Sequence, residues 1–226
     1  MTYTRGSTLR TERETVVGPE EFQQMLDKAE RIEDLFFSLR AKALLCVLRL
    51  TGKRRSSVAA LKVSDVQVKD NLLFMTFTVL KKRKANVLSK RVTKSIPLQD
   101  PYTLPILQYY EFLQGLTPTP EYFFPRAKSL FGFGKLIEID THISGRHVFN
   151  ILREISEKVW PHLFRETAAK DEFDKDSSLI GAFRVMHRLD LESYTTGFNY
   201  LRRFATHIIT REGVPDRQGE YVIVRH

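Results

Sequence analysis

The chain has one cysteine in 226 residues. With a single thiol, no disulfide framework can close within it and no cysteine cluster can hold zinc, a composition suited to a reducing cytoplasm. Cys46 lies in the apolar run 43–47 and reads as a small core hydrophobe. Long apolar runs are also missing. None approaches the roughly 20 residues a membrane-spanning helix needs, and no stretch has the pattern of a secretory signal, so no membrane association is expected. Internal repeats and low-complexity segments are absent as well. An acidic balance is the last thing lacking: 36 Lys and Arg stand against 27 Asp and Glu, a net charge of +9. That excess points to a polyanionic partner, with nucleic acid ahead of an anionic lipid surface.

What is present suits one large domain or two small ones, with length enough for a buried core. Residues 1–18 are polar and aperiodic and read as a tail or linker remnant. From Pro19 a helix is expected: Phe22, Met25, Leu26, Ala29 and Ile32 share one stripe, and proline and acids suit a first turn. Residues 35–50 are dense enough in apolar side chains for a buried helix, ended by Thr51-Gly52. Ser56 or Ser57 can cap a short helix through Leu61. Val63, Val66 and Val68, then residues 72–80, have strand character, with Lys69-Asp70-Asn71 as the turn between them. The basic run Lys81-Lys82-Arg83-Lys84 leads to Lys90, Arg91 and Lys94. Together these segments predict a small three-stranded antiparallel sheet with a basic second turn.

Helical character returns over 104–116 and breaks at Thr117-Pro118-Thr119-Pro120. Residues 126–140 read as a loop. Trp160, Phe123 and Phe124 are expected in the core. Val148, Ile151, Leu152, Ile155 and Val159 mark an amphipathic helix that stops at Pro161, and further helices are expected over 162–173 and 178–186. Ser193 can cap another carrying Tyr200. The stretch Tyr221–Val224 is a candidate strand.

Four features now stand in one order. They are Thr51-Gly52-Lys53-Arg54-Arg55-Ser56 ahead of a short helix, a basic β-turn, His162-Leu163-Phe164-Arg165-Glu166-Thr167, and a late tyrosine. Taken alone, His162 and Arg165 are two polar groups on one helix face. In this order they resemble the catalytic domain of the tyrosine recombinases, the phage-integrase family, over roughly residues 19–206. The resemblance implies an α+β, mainly α-helical fold with a small three-stranded antiparallel sheet: the catalytic domain over 19–207 and a C-terminal tail over 208–226.

The resemblance further implies cleavage of DNA by a tyrosine, giving a covalent 3′-phosphotyrosyl intermediate and a free 5′-hydroxyl, with no cofactor or metal. A phosphodiester under attack gathers charge on its non-bridging oxygens, and the guanidiniums of Arg54 and Arg165 suit those oxygens at any working pH. His162 would act as general base or phosphate donor. Lys82, with Lys81 next, would protonate the departing 5′ oxygen. His187 matches the second family histidine, although the glycine that usually precedes it is missing here. Tyr200 matches the nucleophile, with Tyr194 as rival because the spacing from His187 is stretched.

Double-stranded DNA is the expected partner. Lys81, Arg83, Lys84, Lys90 and Arg91 would meet its phosphates. A monomer is expected alone, and a tetramer on DNA through the C-terminal tail. The expected place is the cytoplasm or host-cell DNA. The family's N-terminal clamping domain is expected to be missing or to lie outside this chain, as in a catalytic fragment of a viral or mobile-element integrase. Two other classes share the pattern: a type IB topoisomerase-like nicking-closing enzyme, and a DNA-binding protein with a degenerate site.

Overall fold

The computed structural model describes residues 16–82, 87–130, 134–176 and 178–191. Its centre is a single helix, α2 (Leu35–Thr51), buried nearly all round from Ala43 to Thr51. A helix apolar on every face must be enclosed, and three neighbours enclose this one: α1 (Pro19–Glu30), α4 (Leu104–Gln114) and α6 (Pro161–Phe173). Asp34 caps α2, its side chain accepting from the Phe37 amide at 3.1 Å. Gly52 ends it in the left-handed region, at φ 58°.

Beyond Gly52 the chain turns through Lys53 and Arg54 into the short helix α3 (Arg55–Ala59). Neither Ser56 nor Ser57 caps it, because the helix begins ahead of both; Arg54 holds the capping position without a side-chain bond. A 3-10 turn over Val63–Asp65 replaces the expected start of the first strand. The antiparallel sheet follows, in the order β1 (Val66–Lys69), β2 (Leu72–Lys82), β3 (Val87–Pro97). Its longest ladder runs from Leu72 opposite Pro97 to Lys82 opposite Val87. Leu73, Met75, Phe77 and Val79 point inward at every second position, so the period-two pattern sets the buried face.

The stretch 126–140 is not a loop. It forms a second, two-stranded sheet of β4 (Pro125–Leu130) and β5 (Gly134–His142). The alternation in Lys135-Leu136-Ile137-Glu138-Ile139 is weak because the ribbon is mostly exposed, with Leu136 and Ile139 on its surface. Helices α5 (Gly145–Ile155) and α7 (Leu179–Arg188) complete the described fold. Ser144 caps α5 through the His147 amide at 3.1 Å. The core gathers Phe22, Phe36, Tyr109, Phe123, Phe124 and Phe164 around α2. A smaller cluster of Ala168, Ala169, Phe173, Ala182, Val185 and Leu189 joins α6 to α7. The described fold takes in the end of the stretch the sequence assigned to the tail. Val17 is buried, its amide donating to Thr167 Oγ1 at 2.8 Å and its carbonyl accepting from Arg49 at 2.5 Å. Among the described residues no helix is long and apolar enough to cross a membrane.

Candidate active site

An open cleft of about 500 Å³ lies where α3, α5 and α6 meet, lined by Arg54, Arg55, Ser56, Phe149, Trp160, Pro161, His162 and Arg165. Three residues singled out from the sequence share it, Arg54, His162 and Arg165. Two local devices deliver them. Gly52 supplies the tight turn that swings Arg54 off the end of α2, and Gly52 has no room for a side chain. A Cβ there would meet the Ala168 and Leu189 side chains at 2.8 and 2.9 Å. Pro161 starts α6, which sets His162 in the first turn and Arg165 one turn later on the same face.

The two arginines differ in their surroundings. Arg54 is exposed at the rim. Arg165 is only 4% exposed, and its guanidinium donates from Nη1 to the Gly52 carbonyl at 2.5 Å and from Nη2 to the Leu189 carbonyl at 3.1 Å. A buried guanidinium held by two carbonyls is a fixed donor fork, whereas Arg54 can adjust to what enters. His162 stands more than half exposed, with Nε2 3.6 Å from Glu166 Oε1 one turn on. The apolar part of the lining is Phe149, Trp160 and Pro161. Trp160, expected in the core, packs on it with part of its surface and lines the cleft with the rest.

Of the remaining sequence candidates, His187, Lys90 and Arg91 fall elsewhere. His187 is exposed on the last turn of α7 and does not line the cleft; its carbonyl accepts from Lys94 Nζ at 3.3 Å. Lys81 and Lys82 end β2, opposite Leu88 and Val87. Lys90 is exposed on β3, and Arg91 beside it pairs with Asp65. Arg83, Lys84, Tyr194, Tyr200 and the tail 208–226 lie outside the described residues. Among the described residues no three His, Cys, Asp or Glu side chains gather as a metal-ligand set.

Sequence reasoning missed two groups. Arg55 lines the cleft as a third guanidinium, and only its place in the Lys-Arg-Arg run hinted at it. Lys53, from the same run, goes the other way. It is 1% exposed and pairs with Asp190. Burial pulls its ammonium from the ordinary 10.5 down to about 8, against the pull of Asp190, and Lys94 and Arg165 push the same way as burial.

No protein-family model matches the sequence, and no curated protein does. Solved structures do match the fold. The chain is similar to XerH site-specific recombinase bound to its difH substrate before cleavage, with a TM-score of 0.60 and 19% identity over 88% of this chain and 51% of that one. It is similar to XerA recombinase, with a TM-score of 0.57 and 16% identity over 85% of this chain and 64% of that one. A third is the Tn1549 transposon integrase in complex with transposon right-end DNA, with a TM-score of 0.56 and 11% identity over 82% of this chain and 60% of that one. The chain thus spans about half of the XerH structure and under two thirds of the other two. A buried central helix, a three-stranded sheet and an arginine-lined cleft between the turn after that helix and the start of α6 are here built into the tyrosine-recombinase catalytic fold.

Proposed function

We propose that this protein cleaves and rejoins strands of duplex DNA through a covalent 3′-phosphotyrosyl intermediate, as the catalytic part of a site-specific recombinase or integrase. The observation that carries the reading is the meeting of Arg54, His162 and Arg165 in one open cleft, although more than a hundred residues separate the first from the others. The DNA-bound state of the XerH and Tn1549 integrase structures supports duplex DNA as the substrate.

In this reading a backbone phosphate enters the cleft with its non-bridging oxygens toward Arg54 and Arg165. Arg165 is fixed by its two carbonyls before the phosphate arrives, so little reorganisation of that donor accompanies attack, and Arg54 closes from the exposed side. The Tyr200 hydroxyl, with Tyr194 as the alternative, loses its proton to His162 or to solvent. Its oxygen then bonds to phosphorus while the bond to the 5′ oxygen breaks. Lys82, or Lys81, gives the 5′ oxygen its proton, and His187 adds a donor to the phosphate. A 5′-hydroxyl attacking the phosphotyrosine reverses each step and reseals a strand. Free tyrosine holds its proton to a pKa near 10, so the cationic cleft also eases its ionisation. No metal ion enters the scheme. Lys81, Arg83, Lys84, Lys90 and Arg91 meet neighbouring phosphates. Assembly on DNA is a tetramer docked through residues 208–226.

The test is a pool of nicked duplexes of randomised sequence, which trap a covalent adduct because the cleaved end diffuses away. An adduct formed by the wild type and Tyr194→Phe but not by Tyr200→Phe supports the assignment. The reverse pattern moves the nucleophile to Tyr194. No adduct from any chain sinks the reading, and site-independent relaxation of supercoiled plasmid would make the enzyme a topoisomerase instead.

A further inference from the structure

Arg165 is held by two carbonyls that belong to different parts of the chain. One is Gly52, in the turn after α2; the other is Leu189, just past α7. The next residue after each of these is charged, and the two charged side chains meet: Lys53 Nζ contacts Asp190 Oδ2. Lys94, from β3, approaches the other carboxylate oxygen at 3.5 Å and also donates to the His187 carbonyl at 3.3 Å. Arg188 adds a bond to the Leu50 carbonyl. Asp190 takes this place with a left-handed backbone, at φ 52°.

Stability alone does not account for a lysine here. Its side chain is 2% exposed, with the ammonium 5.5 Å from the Phe77 ring, a setting in which burying the charge is costly. Buried ion pairs are weak stabilisers but strong fixers of geometry. We infer that the Lys53–Asp190 pair, seconded by Lys94, is a positioning device: it sets the separation of the Gly52 and Leu189 carbonyls and thereby aims the Arg165 guanidinium at the cleft. The inference rests on the proposed strand cleavage, because aim matters only if Arg165 serves a reacting phosphate.

The groups facing Lys53 are Asp190 after α7, Lys94 on β3 and Arg165 on α6; Lys94 in turn faces Arg188 and Glu172. Lys53 loses its charge near pH 8, which leaves Lys94 to hold Asp190 alone. The aim of Arg165 therefore slackens as pH rises past that point.

The experiment uses the full chain and a nicked duplex recovered from the adduct pool, with rates measured between about pH 6.5 and 9.5. Asp190→Asn and Lys53→Met slow adduct formation about tenfold or more, since a small misplacement of a catalytic group suffices for that. Affinity for the uncut duplex stays within about twofold, because most contacts lie elsewhere. Lys53→Arg keeps the rate and moves the alkaline decline upward, since a guanidinium stays charged throughout. Should the first two variants unfold in a thermal melt, Lys53→Arg and Lys94→Met carry the test, the latter giving a smaller loss in the same direction. Wild-type rates and an unmoved pH profile in the folded variants overturn the inference, as does a loss confined to affinity. Absence of any wild-type adduct overturns the proposed function and takes the inference with it.

Discussion

At the scale of single residues, the cleft separates arginines that are chemically alike. Arg54 is exposed and Arg165 is buried between two carbonyls, so their removal has different consequences. Arg54→Ala leaves unfolding in urea within about 0.5 kcal/mol of the wild type, as for most surface changes. If the proposed function holds, it nonetheless lowers strand cleavage by about 10²–10³, the usual loss when one charge-stabilising donor goes. Arg165→Ala loses both, because two buried carbonyls are left without their donor. Gly52→Ala is a third case. It forces a left-handed alanine and drives a methyl into Ala168 and Leu189, which destabilises by about 2 kcal/mol or more, read as a shifted urea midpoint. Lys53 makes stability depend on pH. Its native pKa, about 8, lies below the ordinary 10.5, so between those values the unfolded chain binds the extra proton and stability rises with pH. The slope from this one group is at most about 1.4 kcal/mol per pH unit. Urea melts of wild type and Lys53→Met at several pH values check it: the rise is steeper in the wild type, because Lys94, also lowered by burial, remains in the variant.

At the scale of elements, periodicity explains most of what formed. The stripe in α1, the all-round apolar α2 and the alternation in β2 each correspond to one mode of burial. Caps were less readable. Asp34 and Ser144 do cap α2 and α5, but the serines after Arg54 do not cap α3, because Arg54 already occupies that place. Helix α5 brings Phe149 to the cleft, and its start hangs on Ser144. Ser144→Ala therefore costs about 1 kcal/mol, seen as a fall in melting temperature of about 2–4 °C for a chain of this size. The β4–β5 ribbon escaped the sequence reading for a physical reason. Its strands pair with each other and bury little, so neither strict alternation nor a continuous apolar run marks them.

At the scale of the whole molecule, the net charge of +9 and the arginine-lined cleft act together in the proposed function. Binding to duplex DNA then weakens steeply with salt. Replacing Lys90 by alanine reduces the slope of log affinity against log salt by about 0.9, the value for one phosphate contact, if Lys90 meets one phosphate. Filter binding of one duplex across a salt series reads it. An unchanged slope would remove the exposed end of β3 from the DNA-facing surface.

The sequence by itself determined the helices, the three-stranded sheet and the candidates Arg54, His162 and Arg165, because these rest on local periodicity, turn residues and short motifs. Nothing local reveals which of three consecutive basic residues faces outward. Lys53, Arg54 and Arg55 read as one charged run, yet the turn after Gly52 buries the first against Asp190 and sends the other two to the cleft. Tertiary structure also decided that the pair on α6 shares a cleft with Arg54. Arg165 is held there by Gly52, 113 residues earlier, and Leu189, 24 residues later, and contacts of that range leave no periodic trace in the chain.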